Sequence, residues 1–200
     1  MYLKQENKMA TPSQFDNDTF HLGREHLNNF LANTSKNLPI KSGKLLEIGC
    51  QDKPGVRDNF NSFSIDTFDI VDTYNPTFVG DVTKFNESIS DSSYDLIACL
   101  EVLEHTLDPF SAVKELRRIL RDGGYLMVSA PLNWRIHGPV PDCWRFTEHG
   151  WKVLLRDFDI EDISILETPD RELFPIHYCF LAKCNKSKKT LDSELEFRYI

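Results

Sequence analysis

Short apolar runs alternate along the chain with stretches whose apolar residues recur at helical spacing. The first helix is predicted from Phe20 to about Ala32, where Phe20, Leu27, Phe30 and Leu31 fall near one face behind an Asp18-Thr19 cap. Residues 33–43, with Pro39 inside, read as a connection. Lys44–Ile48, Phe63–Ile70, Thr77–Val82 and Asp95–Leu100 read as strands, and the unbroken apolar character of the last suits a parallel strand covered on both faces. A second helix begins at Asp108-Pro109. Val113, Leu116 and Leu120 line its buried face with Phe110 and Ile119, and Arg117, Arg118 and Arg121 gather where positive charge is favoured. Gly123-Gly124 is its predicted stop. Tyr125–Ala130 follows as a fifth strand. Thr147 then caps a helix carrying Trp151, Leu154 and Leu155, and Ile160–Leu166 and Ile176–Ala182 read as the last two strands. Alternation of this kind predicts an α/β fold with an open, doubly wound and mostly parallel sheet. Ligands bind outside the carboxyl ends of the strands of such sheets, so chemistry is expected there.

A chain of 200 residues with 40% hydrophobic and 27% charged content is long enough to bury a core without staples. Residues 1–17 read as a loose arm, 18–184 as a single domain and 185–200 as a tail. Lysine and arginine number 23 against 31 aspartates and glutamates, a net charge of −8 that argues against a broad grip on nucleic acid or an anionic membrane. No apolar run approaches the roughly 18 residues of a membrane span, and the first 17 residues lack the apolar core of a secretion signal. A cytoplasmic location is expected. Five scattered cysteines without C-x-x-C spacing predict neither a disulfide framework nor a zinc site.

The predicted strand ends carry a distinct set of residues. Glu47-Ile48-Gly49-Cys50-Gln51 follows the first strand without a G-x-G-x-x-G or P-loop pattern. Asp69 stands at the second strand's tip, with Asp66 and Asp72 as alternatives, and Asp81 follows Gly80 at the third. Three acids at successive strand ends suit hydrogen bonds to a nucleoside, although each alone is commonly a solvated loop residue. The fourth strand runs into Glu101-Val102-Leu103-Glu104-His105, one residue short of the H-x-x-E-H zinc pattern. Position 101 is glutamate and no second histidine stands at ligand spacing, so no metal is expected.

These residues carry a resemblance. Leu45–Cys50, Gly80-Asp81-Val82, the Tyr94-Asp95-Leu96-Ile97 run with Glu101–His105, and Leu120-Arg121-Asp122-Gly123-Gly124 are similar to the class I S-adenosylmethionine-dependent methyltransferases. The likeness spans about Leu45 to Ala182. It implies a Rossmann-like, seven-stranded sheet whose antiparallel last strand inserts between its neighbours. It also implies S-adenosylmethionine as cofactor. Glu47, Gly49, Cys50 and Gln51 would then lie in the loop beneath the methionine part, flanked by Leu100 and Glu101. Asp69 would hold the ribose, and Asp81 with Val82 would read the adenine. Arg24 on the first helix would meet the cofactor carboxylate. The family usually has a glycine where Gln51 stands, and often another at Lys53.

The acceptor side falls to residues 132–146. His137 is the candidate general base and His105 the second, each with a bracing role as the bland alternative. Arg135 and Arg145 are candidates to hold a carboxylate or phosphate. Equally, Arg145 pairs with Asp142. Trp134 and Trp144 would wall the pocket, although anchoring is the favoured reading for Trp144 and Phe146. Asp142–Thr147 also resembles a subgroup of small bacterial methyltransferases, many associated with surface sugars. The expected function is therefore methyl transfer to an oxygen or nitrogen of a small molecule, a sugar being one candidate. The alternative is a non-catalytic binding module of the same fold. No nucleic-acid or membrane partner is expected.

Overall fold

A computed structural model describes residues 11–50 and 55–190. The chain runs α1 (Gln14–Asn37), β1 (Gly43–Ile48), α2 (Val56–Asn59), β2 (Phe63–Asp69), β3 (Phe78–Val79), β4 (Tyr94–Leu100), α3 (Pro109–Ile119), β5 (Leu120–Pro131), α4 (Glu148–Leu154), β6 (Phe158–Leu166) and β7 (His177–Cys184). A single 3-10 turn, Leu103–His105, lies between β4 and α3. The seven strands form one sheet in the order β3-β2-β1-β4-β5-β7-β6. The pairs from β3 to β5 are parallel, and β7 runs antiparallel to both β5 and β6. This is the Rossmann-like α/β sheet that the resemblance implied, with the last strand inserted between its neighbours.

Alternation along the strands separates two apolar layers. Leu45, Leu96, Ala98, Met127 and Cys179 face α1 and α2, meeting Leu27, Phe30, Leu31 and Val56. Leu46, Ile97, Cys99, Leu126, Val128 and Phe180 face the other way, onto Leu116, Ile119, Trp151 and Leu154 of α3 and α4. Parallel strands covered on both faces are apolar on both, as Leu96–Leu100 of β4 and Tyr125–Val128 of β5 are.

Several boundaries depart from the sequence pattern. α1 starts at Gln14, not Phe20, so residues 14–17 belong to a helix and not to an arm. Ser13 and Asp16 form a reciprocal capping box, which outcompetes Asp18-Thr19, and Thr19 is buried inside the helix. The helix ends at Asn37 because Leu38 precedes Pro39 and is driven to an extended conformation. β3 shrinks to two residues, since the Asp81 carboxylate folds onto Thr83 and ends the pairing. α3 stops at Ile119, four residues before Gly123, where Leu120 turns extended to pair with Tyr94. Residues 185–190 pack on the domain, with Arg117 donating to the carbonyls of Asn185 and Lys188. All five cysteines are free thiols.

Phe180 lies wholly buried in β7, its ring centroid 5.2 Å from that of Trp151. Truncating it leaves a cavity in a layer that is closed on every side. Phe180→Ala is expected to destabilise the protein by about 3–5 kcal/mol in urea unfolding, with an unchanged slope.

Candidate active site

The crossovers after β1 and β4 leave on opposite faces of the sheet, so a crevice opens at their carboxyl ends. Two residues at this edge have left-handed backbones. Gly49, just past β1, has φ +74°, and Glu101, just past β4, has φ +57°. Only glycine suits the first position, because a Cβ there would also meet Val102 Cγ2 at 2.6 Å. A glutamate with positive φ is a strained choice, and such strain persists where surrounding bonds over-determine it. Those bonds are present: the Glu101 N–H donates to the Ser129 carbonyl at 3.1 Å, while Oε1 accepts from Ser129 Oγ at 2.6 Å and from His177 Nε2 at 2.7 Å.

The crevice is a cleft of about 800 Å³, within the roughly 300–1,000 Å³ typical of small-molecule sites. Glu47, Gly49, Leu100 and Glu101 form its floor, α1 one wall through Phe20, Gly23 and Arg24, and residues 134–139 the other. These walls touch. Arg135 pairs with Asp16 at 3.1 Å, and Gly23 lets the Trp134 ring approach so closely that a Cβ there would meet it at 2.7 Å.

Beneath the floor runs a chain of hydrogen bonds. A carboxylate only accepts, so His177 Nε2 carries the proton it gives Glu101. In the neutral form its Nδ1 then accepts from His26 Nδ1 at 2.8 Å, and His26 Nε2 accepts from Ser164 Oγ at 2.8 Å. Burial and the neighbouring His177 push His26 down to about 4, which keeps it neutral. Burial alone would raise Glu101, but His177 and the two hydrogen bonds outweigh it and hold the carboxyl below its ordinary range. Glu104, one turn later, is the opposite case. Burial and the Glu101 charge push it well above the usual value. Burial also raises Glu47, although Arg57 lies 3.7 Å away.

Glu47, Gly49, Leu100, Glu101, His105 and His137 all line the cleft, together with Arg24 and Arg135. Cys50 is buried at the end of β1, and burial raises its thiol. Gln51 and Lys53 lie outside the described residues. Asp69 is at the tip of β2, where Oδ1 accepts from the Val71 N–H, and Asp66 accepts from Tyr94 Oη instead. Asp81 Oδ1 accepts from the N–H and hydroxyl of Thr83, and Val82 is buried. Asp69, Asp81 and Val82 stand at the same sheet edge, further along it than the cleft among the described residues.

In the segment after β5, Arg145 holds Asp142 through two bonds of 2.5 and 2.7 Å, the pairing that the sequence left open. Trp144 Nε1 donates to the Thr106 carbonyl and Phe146 packs on Trp151, so both anchor the segment. Desolvation lowers His137 despite the Asp142 charge beside it. His26 and His177 are functional-site residues that the sequence pattern does not single out. Their positions, on α1 and at the start of β7, gave no local signal.

The methyltransferase-domain family model matches residues 21–165. The chain belongs to that family. Class I methyltransferases take their methyl group from S-adenosylmethionine, and the chain carries a methyltransferase domain of this kind. A hybrid PKS-NRPS synthetase, fsa1, of Fusarium sp. (strain FN080326) is 24% identical over 137 residues. That alignment covers 60% of this chain and 4% of the synthetase, so the chain spans a small fraction of the curated relative it matches. The CurJ carbon methyltransferase superposes with a TM-score of 0.58 at 17% identity, over 79% of this chain and 54% of that one. The 1,6-didemethyltoxoflavin-N1-methyltransferase of Burkholderia thailandensis, solved with its substrate and S-adenosylhomocysteine, gives 0.58 at 13% identity, over 90% and 93%. Both structural likenesses speak to fold. No helix among the described residues of the methyltransferase is long and apolar enough to cross a membrane.

The neutral His26 makes acid a specific threat. Unfolded, the imidazole takes up a proton near its ordinary 6.5; folded, it resists until about 4. Between those values the unfolded state binds more protons, so stability falls as pH drops through that window. Discounted for a half-buried ring, this loss is on the order of 1–2 kcal/mol. His26→Gln should remove it: urea midpoints at pH 7 and 4.5 are expected to differ less in the variant than in the parent protein.

Proposed function

We propose that this methyltransferase moves a methyl group from S-adenosylmethionine to an oxygen or nitrogen of a small molecule, sugar hydroxyls being one such class. The observation that carries this reading is the walled cleft at the β1 and β4 ends. Its two sides are tied by the Arg135–Asp16 pair and the Trp134–Gly23 contact, which favours a compact acceptor over a polymer lying in an open groove. The net charge of −8 also counts against nucleic acid.

The residues present fit the donor. Gly49 gives close backbone approach, Glu47 and Glu101 offer acceptors to an ammonium group, and Arg24 offers a cation for a carboxylate. Cys50 and Gln51 belong to the same loop in sequence. Asp69 is proposed to hold the ribose, and Asp81 with Val82 the adenine. When bound, the donor supplies an electrophilic methyl carbon on a sulfonium. The protein's own task is then to align the acceptor and exclude water, which the tied walls serve. His137 faces the cleft with its basicity lowered by burial, hence neutral at pH 7 and able to take a proton from the acceptor; His105 stands beside it, ring centroids 4.9 Å apart. Toxoflavin-type nitrogen acceptors and carbon acceptors, named for the structural neighbours, widen the panel to be tried.

Calorimetry is expected to give one equivalent of S-adenosylhomocysteine bound per chain, and Gly49→Ala to weaken it about 5- to 30-fold through roughly 1–2 kcal/mol of backbone strain. Labelled methyl transfer should then be screened against hydroxyl and amine acceptors. His137→Ala is expected to lower kcat by about 10²–10⁴ while leaving S-adenosylhomocysteine affinity intact. Absence of binding by the parent protein would overturn the reading.

A further inference from the structure

Glu104 is wholly buried, and neither of its carboxylate oxygens has a hydrogen-bond partner. Such a group is costly unless something compensates it. A proton lowers that cost but leaves a buried hydroxyl that itself needs an acceptor. Instead Oε1 faces two imidazole nitrogens, His105 Nε2 at 3.7 Å and His137 Nε2 at 3.8 Å. Those separations are too long for hydrogen bonds. Two ligand atoms each about 2.1 Å from one ion lie roughly 3.0–4.2 Å apart, for angles between 90° and 180°.

The imidazoles are also oriented from behind. His105 Nδ1 lies 2.9 Å from the Pro141 carbonyl, which only accepts, so the proton sits on Nδ1 and the Nε2 lone pair points to Glu104. His137 Nδ1 lies 3.3 Å from the Asp142 carboxylate without a hydrogen bond between them, and that carboxylate is itself fixed by Arg145. His105 therefore has the hydrogen-bonded support that metal-bound histidines have, and His137 has a carboxylate close behind it. We infer that Glu104, His105 and His137 hold one divalent first-row transition-metal ion.

The second cluster with ligand-type atoms, His26, His177 and Cys179, does not share these features. Its imidazole nitrogens are already used in bonds of 2.7 and 2.8 Å, and no carboxylate stands unpartnered among them. Two imidazoles and one carboxylate suit zinc, manganese, iron or cobalt rather than magnesium or calcium. His105 and His137 line the cleft while Glu104 sits behind them, so the ion's remaining positions face the acceptor. Its added ligand would then be an acceptor bearing a hydroxyl or another oxygen donor, which the ion would acidify, and His137 would serve there as a ligand in place of its role as base. This last clause rests on the proposed methyl transfer; the binding of the ion does not.

The test uses the full chain, stripped with chelator and titrated with cobalt(II) by absorption and with zinc(II) against a chromophoric competitor. One equivalent of each is expected. Glu104→Gln, which keeps shape and removes the charge, should weaken binding by roughly 100-fold or more, and Asp142→Asn by about 10–100-fold. His26→Gln should leave the affinity unchanged. Circular dichroism and S-adenosylhomocysteine calorimetry on each variant report folding and donor binding separately, so a failed donor site and a failed metal site give different results. Binding weaker than about 1 mM, or binding that Glu104→Gln does not alter, overturns the assignment.

Discussion

Parallel pairing of β1 with β4 at the centre of the sheet, from Leu45 opposite Leu96 to Ile48 opposite Cys99, places every other feature of the site. Because the chain leaves these neighbours toward opposite faces, no segment crosses their carboxyl ends and a crevice remains. Each strand then hands its backbone to the next neighbour for one more residue. The Gly49 N–H reaches the Phe68 carbonyl of β2, and the Glu101 N–H reaches the Ser129 carbonyl of β5. Both residues must take left-handed conformations to do so while turning the chain away. The floor of the cleft is therefore set by main-chain hydrogen bonding before any side chain acts.

Two glutamates three positions apart show how the surroundings decide charge. Glu101 opens onto the cleft and accepts from a hydroxyl and an imidazole, which hold it ionised. Glu104 lies within the 3-10 turn, its side-chain oxygens unpartnered and its backbone carbonyl accepting from the N–H groups of Cys143 and Trp144. Residues 143 and 144 are thereby fastened to the turn, and the segment that carries His137 is brought against His105. One stretch of five residues thus organises both the floor of the cleft and one of its walls.

The hydrogen-bonded row from Glu101 through His177 and His26 to Ser164 links β4, β7, α1 and β6. It ties the N-terminal helix to the sheet with polar contacts at a level where α1 also forms a cleft wall. In the methyltransferase family the fold is held in common over distant sequences, as the 13–17% identities of the superposed structures indicate. Residues 134–139 and α1 enclose the cleft upon that fold.

The amino-acid sequence alone determined the layers and the sheet edge that carries the site. Continuous apolar strands, an amphipathic α3 behind Asp108-Pro109, and glycines and acids after successive strands are local signals, because burial on both faces and tight turns restrict residue type at each position. Element ends were less legible: the Ser13–Asp16 box competes with Asp18-Thr19 on equal local terms, and only buried Thr19 settles which one caps. Partnerships across the fold were not legible at all. His26 meets His177, and His137 meets Glu104, across gaps that no spacing rule spans. Those side chains find each other only when strand order and loop docking are complete, so only the tertiary structure decided which histidines stand in the floor, which in the wall, and which carboxylate is left without a partner.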